Sequence, residues 1–155
     1  MNNVDCIAGE NPLSADQRRS FRCLVGRMIP ASAEYGVPGA DDEVIFADIL
    51  ATSRRHTSHV NSALQRLDAL AAGTFADLGA AEQNTVAESF RNGQSELAGL
   101  LAAITVQCYY RDDRVMRSLD MEARPPFPKG FDLETGDWSL LDPVRARPKL
   151  YRDAP

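Results

Sequence analysis

The sequence predicts an all-α protein: a single helical domain of about five or six helices, followed by a long proline-rich irregular C-terminal arm. Three observations carry this. Apolar residues recur at i, i+3, i+4 and i+7 across most of the first 120 residues. A chain of 155 residues and 17.0 kDa suits one domain with one hydrophobic core. After Arg124 the periodicity disappears, and residues 124–155 hold six of the nine prolines. The expected division is therefore a helical domain over 1–123 and an irregular arm over 124–155, packed on the domain or on a partner.

Each element follows from local chemistry. Ser14 can cap the first helix and Gln17 can close a capping box, after which Phe21, Leu24, Val25 and Met28 form one apolar stripe. Pro30, Gly36, Pro38 and Gly39 make Ile29 to Gly39 a turn-rich connection. Asp41, Asp42 and Glu43 favour the start of a second helix running to about Ser53, with Val44, Ile45, Ile49 and Leu50 facing the core. From about Ser58, Val60, Ala63, Leu64, Leu67 and Leu70 repeat at helical spacing as far as Gly73, the expected terminator. One long bent helix in place of the second and third is the alternative reading. Ala80 to Arg91 gives a shorter helix with Val86 and Phe90, closed by Asn92-Gly93. A central helix then starts near Ser95 and carries Leu97, Leu100, Leu101, Ile104 and Cys108 to Tyr110. Asp112 and Asp113 cap a last short helix from Asp113 to Leu119.

Composition excludes several classes. Hydrophobic residues at 44% and charged residues at 25% are those of a globular chain. The net charge of −5 includes no basic segment: residues 1–110 hold 8 basic and 13 acidic side chains, and residues 111–155 hold 9 of each. A nucleic-acid partner is not expected. The longest apolar stretch, Leu97 to Val106, is too short to cross a bilayer, so direct membrane insertion is not expected either. Arg18-Arg19-Ser20-Phe21 imitates a twin-arginine signal, with Ala31-Ser32-Ala33 as a cleavage site, yet Arg22, Gly26, Arg27 and Pro30 interrupt the apolar core such a signal needs. A cytoplasmic location is expected, or a periplasmic one if a leader was removed. Cys6, Cys23 and Cys108 cannot all pair and show no CxxC spacing, which disfavours structural zinc and fits a reducing compartment.

Constellations for chemistry are sparse. His56 and His59, the two histidines, stand at i, i+3 without a third ligand and beside Arg54 and Arg55, so solvated side chains are favoured over a metal pair. Adjacent Asp112 and Asp113 diverge by about 100° on a helix and do not make an acid/base pair. The glycines form neither GxGxxG nor a Walker loop, and no nucleophile elbow is present. No catalytic, cofactor-binding or metal-binding residue is assigned. The arm, by contrast, carries Phe127, Phe131, Trp138 and Tyr151, with Pro125, Pro126 and Pro128, a composition at odds with a solvated tail. These residues, with Tyr109 and Tyr110 at the end of the central helix, are the candidate partner interface. Packing of the arm on its own helices is the competing reading.

The order of these segments resembles the gluconate 2-dehydrogenase subunit 3 family, small subunits of membrane-linked sugar and sugar-acid dehydrogenases. The resemblance covers most of the chain. Met28-Ile29-Pro30 and Val37-Pro38-Gly39-Ala40-Asp41 are similar to the family's opening, Tyr109-Tyr110 with Asp113-Arg114-Val115 and Leu119 to its middle, and Arg124-Pro125-Pro126-Phe127-Pro128-Lys129-Gly130-Phe131 to its close. Two departures stand out: only about a dozen residues precede the first helix where members commonly carry a twin-arginine signal, and Leu119-Asp120 stands where the family often has glycine. The resemblance implies an all-α, non-catalytic accessory subunit bound to a large FAD-dependent oxidoreductase of the glucose-methanol-choline type, with the FAD and the substrate chemistry in that partner. The contrasting class is a stand-alone small helical enzyme or ligand-binding protein using His56 and His59.

Overall fold

Ser14 begins the first helix, α1 (Ala15–Met28), through a reciprocal capping box: the Gln17 amide donates to the Ser14 hydroxyl at 3.1 Å, and the Ser14 amide donates to Gln17 Oε1 at 2.9 Å. This computed structural model describes residues 13–124, 130 and 135–148. The chain divides into two compact units, Met1–Ala123 and Arg124–Pro155. On α1, Phe21, Leu24 and Val25 are buried and Met28 packs against the core from its edge. Ser20 and Phe21 are completely enclosed, so the twin-arginine look-alike is part of a packed helix.

The connection between the first two helices turns on itself. Ser32 and Val37 form an isolated antiparallel bridge, with Gly36 at a φ of 62°, which glycine adopts without strain. The Ala40 amide then donates to the Ile29 carbonyl at 2.9 Å and closes the loop under α1. Asp42 caps α2 (Glu43–Ser53) by accepting from the Val44 and Ile45 amides at 3.0 and 3.4 Å. That register turns Ile45, Phe46, Ile49 and Ser53 inward. Val44, expected in the core, is 64% exposed, and the unassigned Phe46 takes a buried position. The cap decides this, because one helical step moves a side chain by about 100°.

A 3-10 turn at Arg54–His56 separates α2 from α3 (Thr57–Leu70), so the two are distinct helices joined by one tight turn. Val60, Ala63, Leu64 and Leu67 are buried on α3, whereas Leu70, also expected inward, is 47% exposed in its last turn. The helix ends through Ala72, whose φ is 52°, and the Gly73 amide donates back to the Asp68 carbonyl at 3.2 Å. The left-handed position therefore falls on Ala72 and not on Gly73. Beyond it, a 3-10 turn at Phe75–Asp77 inserts Phe75 into the core. Asp68 holds that turn: its Oδ1 accepts from the Ser20 hydroxyl at 2.8 Å and from the Phe75 amide at 2.9 Å.

Helix α4 (Ala80–Gly93) starts where the Glu82 carboxylate accepts from the Gly79 amide at 3.0 Å, and it passes through Gln94 into α5 (Ser95–Tyr109). As expected of a helix that is apolar on most faces, α5 is central: it packs on α1, α2, α3 and α4. It buries Ala98, Leu101, Ile104, Thr105, Cys108 and Tyr109. Asp112 caps the short α6 (Asp113–Ser118) by accepting from the Arg114 amide at 2.9 Å. The first unit thus has six α-helices among its described residues, around one cluster running from Leu13 to Val115. No strand is present among the described residues.

Within the second unit, a 3-10 turn at Trp138–Leu141 leads into a single helical turn, α7 (Asp142–Arg145). Asp137 caps the first of these, accepting from the Ser139 amide at 3.0 Å, and Pro143 sits in the first turn of the second, where its missing N–H costs nothing. Of the helices described in the two units, none is long and apolar enough to cross a membrane.

Candidate functional site

At one end of the helical unit, the loop before α2, the end of α5 and the start of α6 converge. Tyr109 lies in the core cluster, only 5% exposed, and its hydroxyl donates to the Pro38 carbonyl at 3.1 Å. Burial, with the neighbouring Tyr110 and Asp112, pushes its phenol above the ordinary range. Tyr110 stacks edge-on against it, ring centroids 5.3 Å apart, and is 53% exposed. Of the two tyrosines assigned to an interface, only Tyr110 presents its ring to the surface. Tyr109 is part of the unit's own packing, because its position on α5 shares the inward face with Thr105 and Cys108.

Arg114 ties the same end together. Its guanidinium bonds Asp42 at 2.7 and 3.2 Å and Asp112 at 3.0 Å through two nitrogens, linking the caps of α2 and α6. The hydrogen bond from Arg114 holds both carboxyls below the usual carboxylate range, and their own helix amides add to the effect. The Arg114 guanidinium is raised in turn. Next to this, Arg111 grips Asp48 of α2 with bonds of 2.5 and 2.6 Å and donates to Thr52 at 2.9 Å. Behind it, the Cys108 thiol is buried, donates to Thr52 at 3.4 Å, and is pushed up mainly by burial. A thiol of this kind is a packing group and not a nucleophile.

The remaining sequence candidates separate. His56 falls in the 3-10 turn and His59 in the first turn of α3, and both are exposed. Among the described residues no group of three or more His, Cys, Asp or Glu side chains is placed to hold a metal ion. Trp138 is 64% exposed in the second unit. Pro125, Pro126, Phe127, Pro128, Phe131 and Tyr151 lie outside the described residues.

A groove of about 490 Å³ that the sequence reading did not anticipate opens between α1, α4 and α5. Leu24, Met28, Ala87, Phe90, Ala98, Gly99 and Ala102 make its apolar walls, with Arg27, Asn84, Glu88, Arg91 and Ser95 at polar positions. The one signal available in the sequence was the run of small residues, Ala98, Gly99 and Ala102, on a helix otherwise rich in leucine.

No protein-family model, curated protein or solved structure matches this chain.

Proposed function

We propose that this chain is a non-catalytic accessory subunit that binds and stabilises a large FAD-dependent oxidoreductase of the glucose-methanol-choline type acting on a sugar or sugar acid. One observation carries the reading. Two of the segments similar to the gluconate 2-dehydrogenase subunit 3 family, Val37 to Asp41 and Tyr109 to Val115, are far apart in sequence yet are bonded at one end of the helical unit, through Tyr109 to Pro38 and, just beyond the first segment, Arg114 to Asp42. That end leaves the Tyr110 ring at the surface, and in the second unit Trp138 is exposed as well. Large, rigid aromatic side chains of this kind anchor protein interfaces. In this reading the FAD and the reacting groups belong to the partner, this chain holds no cofactor, and the complex is a hetero-oligomer.

Co-expression with the neighbouring reading frame tests it. The two chains should purify together, with flavin carried by the larger one, and omission of this chain should lower the yield or lifetime of active flavoprotein several-fold. Tyr110→Ala should weaken co-purification without changing helical content, since the ring buries little within its own unit. A large chain that is equally active and equally stable alone refutes the accessory role.

A further inference from the structure

We propose that the groove between α1, α4 and α5 is a binding site for a small amphipathic carboxylate, of the class of medium-chain fatty acids, with the apolar chain along α5 and the carboxylate on Arg27. The proposal goes beyond the accessory role and does not depend on it. The size of the groove, about 490 Å³, falls in the range of small-molecule sites, and such sites in helical proteins commonly lie between helices. Its walls are those of an apolar ligand: Leu24, Met28, Phe90 and Ala98.

The charge arrangement selects the head group. Arg27, in the last turn of α1, donates from Nε to Gln83 Oε1 at 2.6 Å and from a terminal nitrogen to Asn84 Oδ1 at 2.6 Å. Both acceptors are neutral amides, and among the described residues Arg27 makes no ion pair. Gln83 is itself buried, at 5% exposure, and its amide nitrogen donates to the Phe75 carbonyl at 3.2 Å, so its oxygen is aimed at Arg27. The guanidinium is therefore held in one orientation by a relay anchored in the core, with donors left over and no anion to receive them. A preorganised, uncompensated guanidinium at the edge of an apolar groove favours a carboxylate over a neutral head group. Arg91 adds a second cation to the lining, and Glu88 opposes it with the one acidic side chain there.

Isothermal titration of the full chain with decanoate, below its micelle concentration, tests the assignment against 1-decanol as the chain without the charge. Decanoate should bind saturably with a dissociation constant on the order of 100 μM, and decanol at least about tenfold more weakly. Arg27→Gln should remove that preference, and Glu88→Gln should tighten decanoate binding. Gly99→Leu supplies the steric arm: a Cβ at Gly99 meets nothing within 4 Å, so the substitution enters open space on a helix and should abolish binding while circular dichroism stays unchanged. Absence of saturable binding, equal affinity for decanoate and decanol, or unchanged affinity in Gly99→Leu overturns the proposal. So does a result in which decanoate fails to bind but Gly99→Leu blocks capture by a flavoprotein, since the groove then belongs to a protein partner.

Discussion

Ala72 holds a backbone φ of 52°, a conformation in which a Cβ crowds the neighbouring carbonyl at a cost of about 1–2 kcal/mol. Glycine relieves that crowding but loses more chain entropy on folding. The net expectation is that Ala72→Gly stabilises the protein by about 0.5–1 kcal/mol, readable as a higher urea midpoint at unchanged slope. Asp120 has a φ of 57° at the end of α6, where the Met121 amide donates to the Met116 carbonyl at 3.0 Å. Aspartate is one of the few residues other than glycine that tolerate this conformation. The opposite case is Gly39. A Cβ there would lie 2.9 Å from the Ala31 amide nitrogen and 3.3 Å from the Ile29 carbonyl oxygen, both backbone atoms that cannot step aside. Gly39→Ala should therefore cost about 1–3 kcal/mol in the same denaturation experiment. The sequence marks Gly39 as part of a turn, but the reason for it, the close return of the loop onto Ile29 and Ala31, exists only once the chain has folded.

Helix ends are where α2 and α6 gain their mutual dependence. Asp42 and Asp112 each cap a helix, and both bond Arg114. Because the folded state lowers both carboxyl pKa values, the unfolded chain takes up protons first as the pH falls, near the unperturbed value of about 3.9. Their contribution is present above that value and is lost as the pH drops through the lower folded values. Thermal stability should fall as the pH drops through about 3.9 and on through the lower folded values, and Arg114→Gln should flatten this dependence while lowering stability at neutral pH by about 0.5–1 kcal/mol. An unchanged pH profile in that variant would separate the caps from the arginine. The capping of α1 by Ser14 and Gln17, of α2 by the acidic run and of α6 by Asp112 is legible in the sequence, since each depends on residues within four positions. The pairing of Arg114 with Asp42, or of Arg111 with Asp48, is not, because nothing local distinguishes these arginines from the others.

For the molecule as a whole, the described core lies within residues 13 to 115, so the first unit carries a hydrophobic cluster of its own. A chain ended after Ala123 should keep its helical circular dichroism and unfold cooperatively, because every buried apolar side chain in that cluster is retained. In the proposed complex the same truncation should lose affinity for the flavoprotein, through the loss of Trp138 and the other aromatic residues beyond Arg124. Collapse of the helical signal in the truncated chain would show instead that these aromatics complete the fold.

Local sequence determined the helical class, the order of the helices with the break between α2 and α3 left open, and most of their inward faces, because a period of 3.6 residues, caps and glycine or proline stops act over a few residues. Val44 and Leu70 escaped that reading for the same reason that Phe46 and Phe75 did: near a helix end, or in a single tight turn, periodicity extends over too few residues to orient a side chain. Tertiary structure alone decided that Tyr109 is a core residue while Tyr110 is a surface one, that Asp68 joins α1 to the turn at Phe75, and that Arg27 stands at a groove bonded to the amide oxygens of Gln83 and Asn84. Each of these depends on groups brought together from distant parts of the chain. Such proximity is set by how the helices pack, which no local pattern records.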